Sequence, residues 1–136
     1  MLGFLKRKPP VAEPLRGAPA IRREKTYAAQ TGYVYQYYYE GYRNSRRGGR
    51  PGQEYVFQVS SDRKSSFPLA VFLPQTTVDR WQQGRLRTLS PTERYAAAKM
   101  KLFETFDECV GLGPPGADAE IDPPAMERLL AALGIE

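Results

Sequence analysis

"GYVYQYYYEGYRNSRRGGRPGQEYVFQVSSDRK", residues 32–64, places tyrosine at every odd position from 33 to 39 and then four arginines, Arg43, Arg46, Arg47 and Arg50, among glycines. Neighbouring side chains on a strand point to opposite faces, so residues 33–42 read as a strand of high β propensity. One face is all tyrosine (Tyr33, Tyr35, Tyr37, Tyr39) and the other is mixed (Val34, Gln36, Tyr38, Glu40, Tyr42). The run "EYVFQVS" at 54–60 alternates in the same way and predicts a second strand. The intervening "GYRNSRRGGRPGQ" is rich in turn residues, which predicts an antiparallel hairpin with a long tip.

Working outward, "SSDRKSS" at 60–66 is a polar turn and "FPLAVFL" at 67–73 a third strand. That strand is apolar on both parities, as expected where both faces are covered or the strand is central. "PQTTVDRWQQG" predicts a short helix over 76–83, with Thr76 or Thr77 as cap, Trp81 as its anchor on the sheet and Gly84 as its stop. The clearest helix covers 91–110, where Ser90, Pro91 and Glu93 form a capping-box signature. Its apolar stripe runs through Tyr95, Ala98, Leu102, Phe106 and Cys109. After the linker "GLGPPGADAEID", Asp122 caps a helix over 123–133 with an apolar face of Met126, Leu129, Leu130 and Leu133. A helix of about three turns is not stable alone in water, so this face must dock on the domain or on another copy.

The fold class is therefore α+β: a three-stranded antiparallel sheet (33–42, 54–60, 67–73) packed against a long helix (91–110), with short helices over 76–83 and 123–133. Residues 1–25, with four prolines and few bulky apolar residues in register, read as a disordered basic arm. Residues 26–111 read as one domain, and 112–136 as an acidic linker and terminal helix.

Charge is unevenly distributed. The first 103 residues hold 19 Lys/Arg against 7 Asp/Glu, and the last 33 hold 1 against 8. A basic body with an acidic tail points to an anionic partner, or to self-association through the tail. No apolar run approaches the ~18–20 residues of a membrane span. The start "MLGFLKRKPP" puts apolar residues before charges, the reverse of an export signal. Leu2, Phe4 and Leu5 above Lys6, Arg7 and Lys8 could touch a membrane surface, but a plain basic arm is the expected reading. One cysteine excludes an internal disulfide and fits a cytoplasmic chain.

Catalytic chemistry has little to draw on. The chain has no histidine, and no nucleophile elbow, phosphate loop or dinucleotide fingerprint is present. No cofactor and no small-molecule substrate are expected. Glu104, Asp107 and Glu108 cluster on one helical turn, where they read as a solvated face rather than a metal site. Cys109, on the apolar stripe beside Glu108, reads as a buried structural thiol.

Tyrosine platforms beside arginines are what single-stranded nucleic acid requires: aromatic faces for bases and cations for phosphates. A helix-covered sheet equally needs one parity of each strand as core, and tyrosine serves well at half-buried positions. On the core reading the odd tyrosines are internal and Tyr38 and Tyr42 are exposed beside the arginine tip. The order of three strands and a helix resembles double-stranded RNA-binding domains and the three-stranded DNA-binding domains of some integrases in architecture. Glu93 stands at the start of the long helix where the RNA binders present lysines, so no binding residue transfers. The expectation is a small non-enzymatic binding module that contacts RNA or DNA through Arg43, Arg46, Arg47, Arg50, Tyr38, Tyr42, Arg63 and Lys64. The alternative is a protein-interaction or assembly subunit, self-associating through the face of the terminal helix.

Overall fold

The computed structural model describes residues 13–113 and 118–136. It is an α+β chain with the order β1 (Lys25–Ala28), β2 (Val34–Arg47), β3 (Arg50–Ser60), β4 (Phe67–Pro74), α1 (Gln75–Gln82), α2 (Pro91–Glu108), β5 (Asp118–Glu120) and α3 (Pro123–Ala132). The expected three strands are the centre of a curled five-stranded mixed sheet, ordered β1-β2-β3-β4-β5. β1 adds antiparallel to β2, and β5 adds parallel to β4. Both edge strands, of 4 and 3 residues, are too short to show a period of two in sequence. Residues 1–12, which include Leu2, Phe4, Leu5 and Lys6–Lys8 of the expected basic arm, lie outside the described residues.

The hairpin differs from its predicted form in two ways. Its expected long tip is paired almost to the end, with Arg47 opposite Arg50. Gly48 and Gly49, at φ 56° and 77°, supply the two left-handed residues that a two-residue hairpin turn requires. The second difference is a β-bulge between Tyr39 and Gly41. Tyr39 stands opposite Phe57 and Tyr42 opposite Tyr55, so the extra residue reverses parity from Tyr42 onward. Tyr42 thus joins Tyr35, Tyr37 and Tyr39 on the helix-covered face, against the even-position face assigned to it by strict alternation. Gly41 sits at φ 124°, where a Cβ would lie 2.6 Å from the carbonyl oxygen of Arg16. Only glycine admits that approach, and it lets the 13–24 segment pair with the sheet through the Arg16–Tyr42 bridge.

The covered face is aromatic along β2, and Val59, Leu69, Val71 and Leu73 continue it on β3 and β4. Tyr35 is fully buried and stacks on Phe106 of α2 at 4.4 Å, Tyr27 stacks on Phe103 at 4.5 Å, and Tyr37 meets Phe103 edge-on at 5.7 Å. These offset and edge contacts add to the burial energy of the rings. The capping box of α2 forms as the sequence predicts, with Ser90 accepting from the Glu93 amide and Glu93 accepting from the Ser90 amide. α2 ends at Glu108, two residues short of its predicted end. Cys109 becomes its C-cap, only partly buried, instead of a core thiol.

α1 starts directly from β4 with Pro74 at its N-cap and no side-chain cap. Thr77, expected to cap, is buried and donates its hydroxyl to the Ile121 carbonyl at 2.9 Å. Trp81 is buried as the anchor of α1, with Arg85 and Arg87 over its ring.

The terminal segment is part of this core. β5 extends the sheet, Ile121 is fully buried, and Met126, Leu129 and Leu130 of α3 pack into the same cluster. Leu133 is 38% exposed, contrary to its predicted place on the docking face. The helix closes in a Schellman turn, with Ile135 donating to Leu130 and Gly134, at φ 73°, donating to Ala131. That turn swings Leu133 outward and brings Ile135 onto the core in its stead.

Candidate functional site

The hairpin arginines are nearly all engaged by the chain itself. Arg43 and Glu54 are cross-strand partners and form an ion pair. Arg50 makes a forked contact with Glu120 at 2.9 and 2.7 Å, and Arg47 reaches the Ala119 carbonyl at 3.3 Å and Asp118 at 3.8 Å. Both guanidinium groups lie over the ring of Phe72, at 4.9 Å for Arg47 and 5.9 Å for Arg50. Arg50 hydrogen-bonds Glu120 and holds its carboxyl below the usual carboxylate range. Acidic β5 thus sits against the hairpin as an internal counter-charge. Arg46 donates to the Gly49 carbonyl at 2.9 Å and stays exposed.

Of the remaining sequence-predicted residues, Tyr38 and Tyr42 border one cleft, while Arg63 and Lys64 lie apart from it. Tyr38 is half-buried under Arg22, and Tyr42 lies between Arg16 and Tyr55. Arg63 and Lys64 are exposed on the β3–β4 turn, with Arg63 at φ 62°. Asp62 shapes that turn by accepting from the amides of Lys64 and Ser65, and these bonds lower its carboxyl to about 2. Of the three helical carboxylates, Glu104 pairs with Lys101 and Arg128, and Asp107 accepts from the Tyr27 hydroxyl at 2.7 Å. Among the described residues no set of three or more candidate metal ligands gathers.

A different set of cations converges where the sequence reading did not look. A cleft of about 520 Å³ opens between the 13–24 segment, the covered face of the sheet and the first half of α2. Tyr37, Tyr39, Tyr42, Tyr55 and Tyr95 line it, together with Arg23, Lys25, Arg94 and Lys99, and its lining contains no carboxylate. None of these four cations forms an ion pair among the described residues. The Nε of Arg94 is buried without an acceptor.

Local structure explains the convergence. Lys25 is registered against Tyr37 on the β1–β2 ladder, and Tyr95 meets Tyr39 at 4.7 Å. Arg94 and Lys99 have no acidic residue three or four positions away on α2, whereas Lys101 has Glu104. Burial drives the phenols toward the protonated form: it raises Tyr37, Tyr39 and Tyr95, and lifts Tyr55 to about 12 despite Arg94 beside it. They therefore present O–H donors at neutral pH. Lys99 is lowered, first by burial and then by Lys25 beside it, as a hydrogen-bond partner and as a like charge. The arrangement can bind an anion that also offers a flat face.

No protein-family model, curated protein or solved structure matches the chain. Among the described residues no helix is long and apolar enough to cross a membrane.

Proposed function

We propose that the chain is a small non-enzymatic binding module for an anionic partner, RNA or DNA in single-stranded form, held at the tyrosine-lined cleft. The observation that carries this reading is the gathering of Arg23, Lys25, Arg94 and Lys99 on one aromatic cleft without a carboxylate. Bases stack on aromatic rings whatever their identity, and cations beside them neutralise phosphates. Exposed Arg46, Arg63 and Lys64 extend the positive field and steer encounter. In the assembly reading, α3 would offer its apolar face to a neighbour, but Met126, Leu129 and Leu130 face this chain's own core.

Fluorescence anisotropy of labelled single-stranded oligonucleotides across a salt series tests the proposal. Binding that weakens with salt by about 0.7 log units per log unit for each phosphate contacted supports it. Absence of binding at low salt, with a clean dimer or larger species on sizing, returns the assembly reading.

A further inference from the structure

The cleft has the dimensions of a seat for one small ligand more than of a track. Its volume of about 520 Å³ falls in the range of pockets for single small ligands, roughly 300–1,000 Å³. A single-stranded track is an open groove, holding about 4–16 nucleotides in the known small folds. Here the N-terminal segment, tied to β2 by the Arg16–Tyr42 pair, bounds the cleft.

Two features of the cleft carry an electrostatic cost. Lys25 and Lys99 bring like charges to one wall with no carboxylate between them, which Coulomb repulsion opposes. Arg94 keeps a buried N–H without an acceptor, a group that costs free energy unless something accepts from it. A bound anion would offset the repulsion of the lysines, and the guanidinium of Arg94, which lines the cleft, can donate to an acceptor on the same ligand. Arg94 and Lys99 stand five residues apart on α2, about 7.5 Å of helical rise, and Tyr95 and Tyr39, in ring contact at 4.7 Å, line the same cleft. The lysines can therefore take the charge of a ligand while the rings and Arg94 take its planar group.

We propose that this cleft seats one nucleoside-phosphate unit, free or at the end of a strand, with the phosphate against Lys25 and Lys99 and the base over Tyr39 and Tyr95 toward Arg94. The inference rests on the anion-binding reading above and narrows it to one unit with a terminal phosphate.

Isothermal titration of the full chain at low salt tests it with five probes: adenosine 5′-monophosphate, adenosine, inorganic phosphate, and an adenosine hexanucleotide with and without a 5′-phosphate. The proposal expects the monophosphate or the phosphorylated hexanucleotide to bind at least about tenfold more tightly than adenosine or inorganic phosphate. Lys99→Met and Arg94→Gln should each weaken that binding by about tenfold, as loss of a charge-assisted hydrogen bond does, while melting at or near the parent temperature. Equal binding of both phosphorylated probes supports a seat for the free unit, and binding of the phosphorylated hexanucleotide alone supports a seat for a strand end. If both hexanucleotides bind alike and both variants bind like the parent, the seat is overturned while the nucleic-acid reading stands. If no probe binds, both are overturned. Should either variant melt well below the parent, Lys99→Gln and Arg94→Lys are titrated in its place and read by the same criteria.

Discussion

The molecule has two arginine- and tyrosine-rich regions that look alike in composition and differ in what their charges face. In the β2–β3 hairpin, Arg43, Arg47 and Arg50 are matched by Glu54, Asp118 and Glu120, and Phe72 lies buried beneath two of them. In the cleft, Arg23, Lys25, Arg94 and Lys99 stand among tyrosines with no carboxylate in the lining. The density of basic residues along the chain is higher in the hairpin, yet three of its four arginines are ion-paired, whereas among the described residues none of the four cations of the cleft is ion-paired. A surface recruits an anion by the charge left after internal pairing, and that depends on what the fold brings opposite each cation.

The largest expected effect separates core tyrosines from open-face ones. Tyr35 is fully buried against Phe106, so Tyr35→Ala should cost about 3 to 5 kcal/mol in urea unfolding. Tyr38, half-buried on the opposite face, should cost clearly less when truncated. Equal losses would mean that both faces are core and would blur the distinction on which the cleft is drawn.

An intermediate effect breaks or sharpens the comparison directly. Neutralising the hairpin pair with Arg47→Gln and Arg50→Gln should leave oligonucleotide affinity within about twofold of the parent, because those charges release few counterions on binding. The same change should lower the melting temperature slightly and in a salt-sensitive way, as exposed ion pairs do. Loss of most affinity in this variant would move the site back to the hairpin.

The smallest effect is in pH. Glu93 is held to about 2 by Arg87 and by the Ser90 amide, against a usual value of 4.5, and Glu120 is lowered by Arg50. A carboxyl depressed in the folded state stabilises above its unfolded value and loses that contribution as pH falls through the folded one. The melting temperature should therefore fall between pH 4.5 and about 2, and Glu93→Gln should flatten part of that slope. The cleft has no carboxylate in its lining, so oligonucleotide affinity should hold wherever the chain stays folded and the phosphodiesters stay ionised.

The central strands, all three helices and the capping box of α2 are legible in the sequence because each rests on local signals: alternation, a Ser-Pro-x-Glu start, a glycine stop. The bulge at Glu40 is not, since strict alternation continues through it on paper while the chain inserts a residue and sends Tyr42 to the other face. β5 is invisible for a different reason: three residues of acidic linker become a strand only because the edge of β4 is there to pair with them. The same long-range pairing explains why the hairpin arginines read as free charges, when Asp118 and Glu120 lie about 70 residues away. The cleft did leave one trace. Arg94 and Lys99 lack acidic neighbours at helical spacing, which marks them in the sequence as cations without a local partner.

Amide chemical-shift mapping of the full chain with a single-stranded, 5′-phosphorylated hexanucleotide at low salt tests the central claim most directly. The account predicts shifts that concentrate at Arg23–Lys25, Tyr37–Tyr42 and Thr92–Lys99, with the hairpin tip from Ser45 to Pro51 near its free positions. Shifts that concentrate on the tip and on Asp118–Glu120, with the cleft unchanged, would contradict it and show that the strand displaces β5 from the arginines instead.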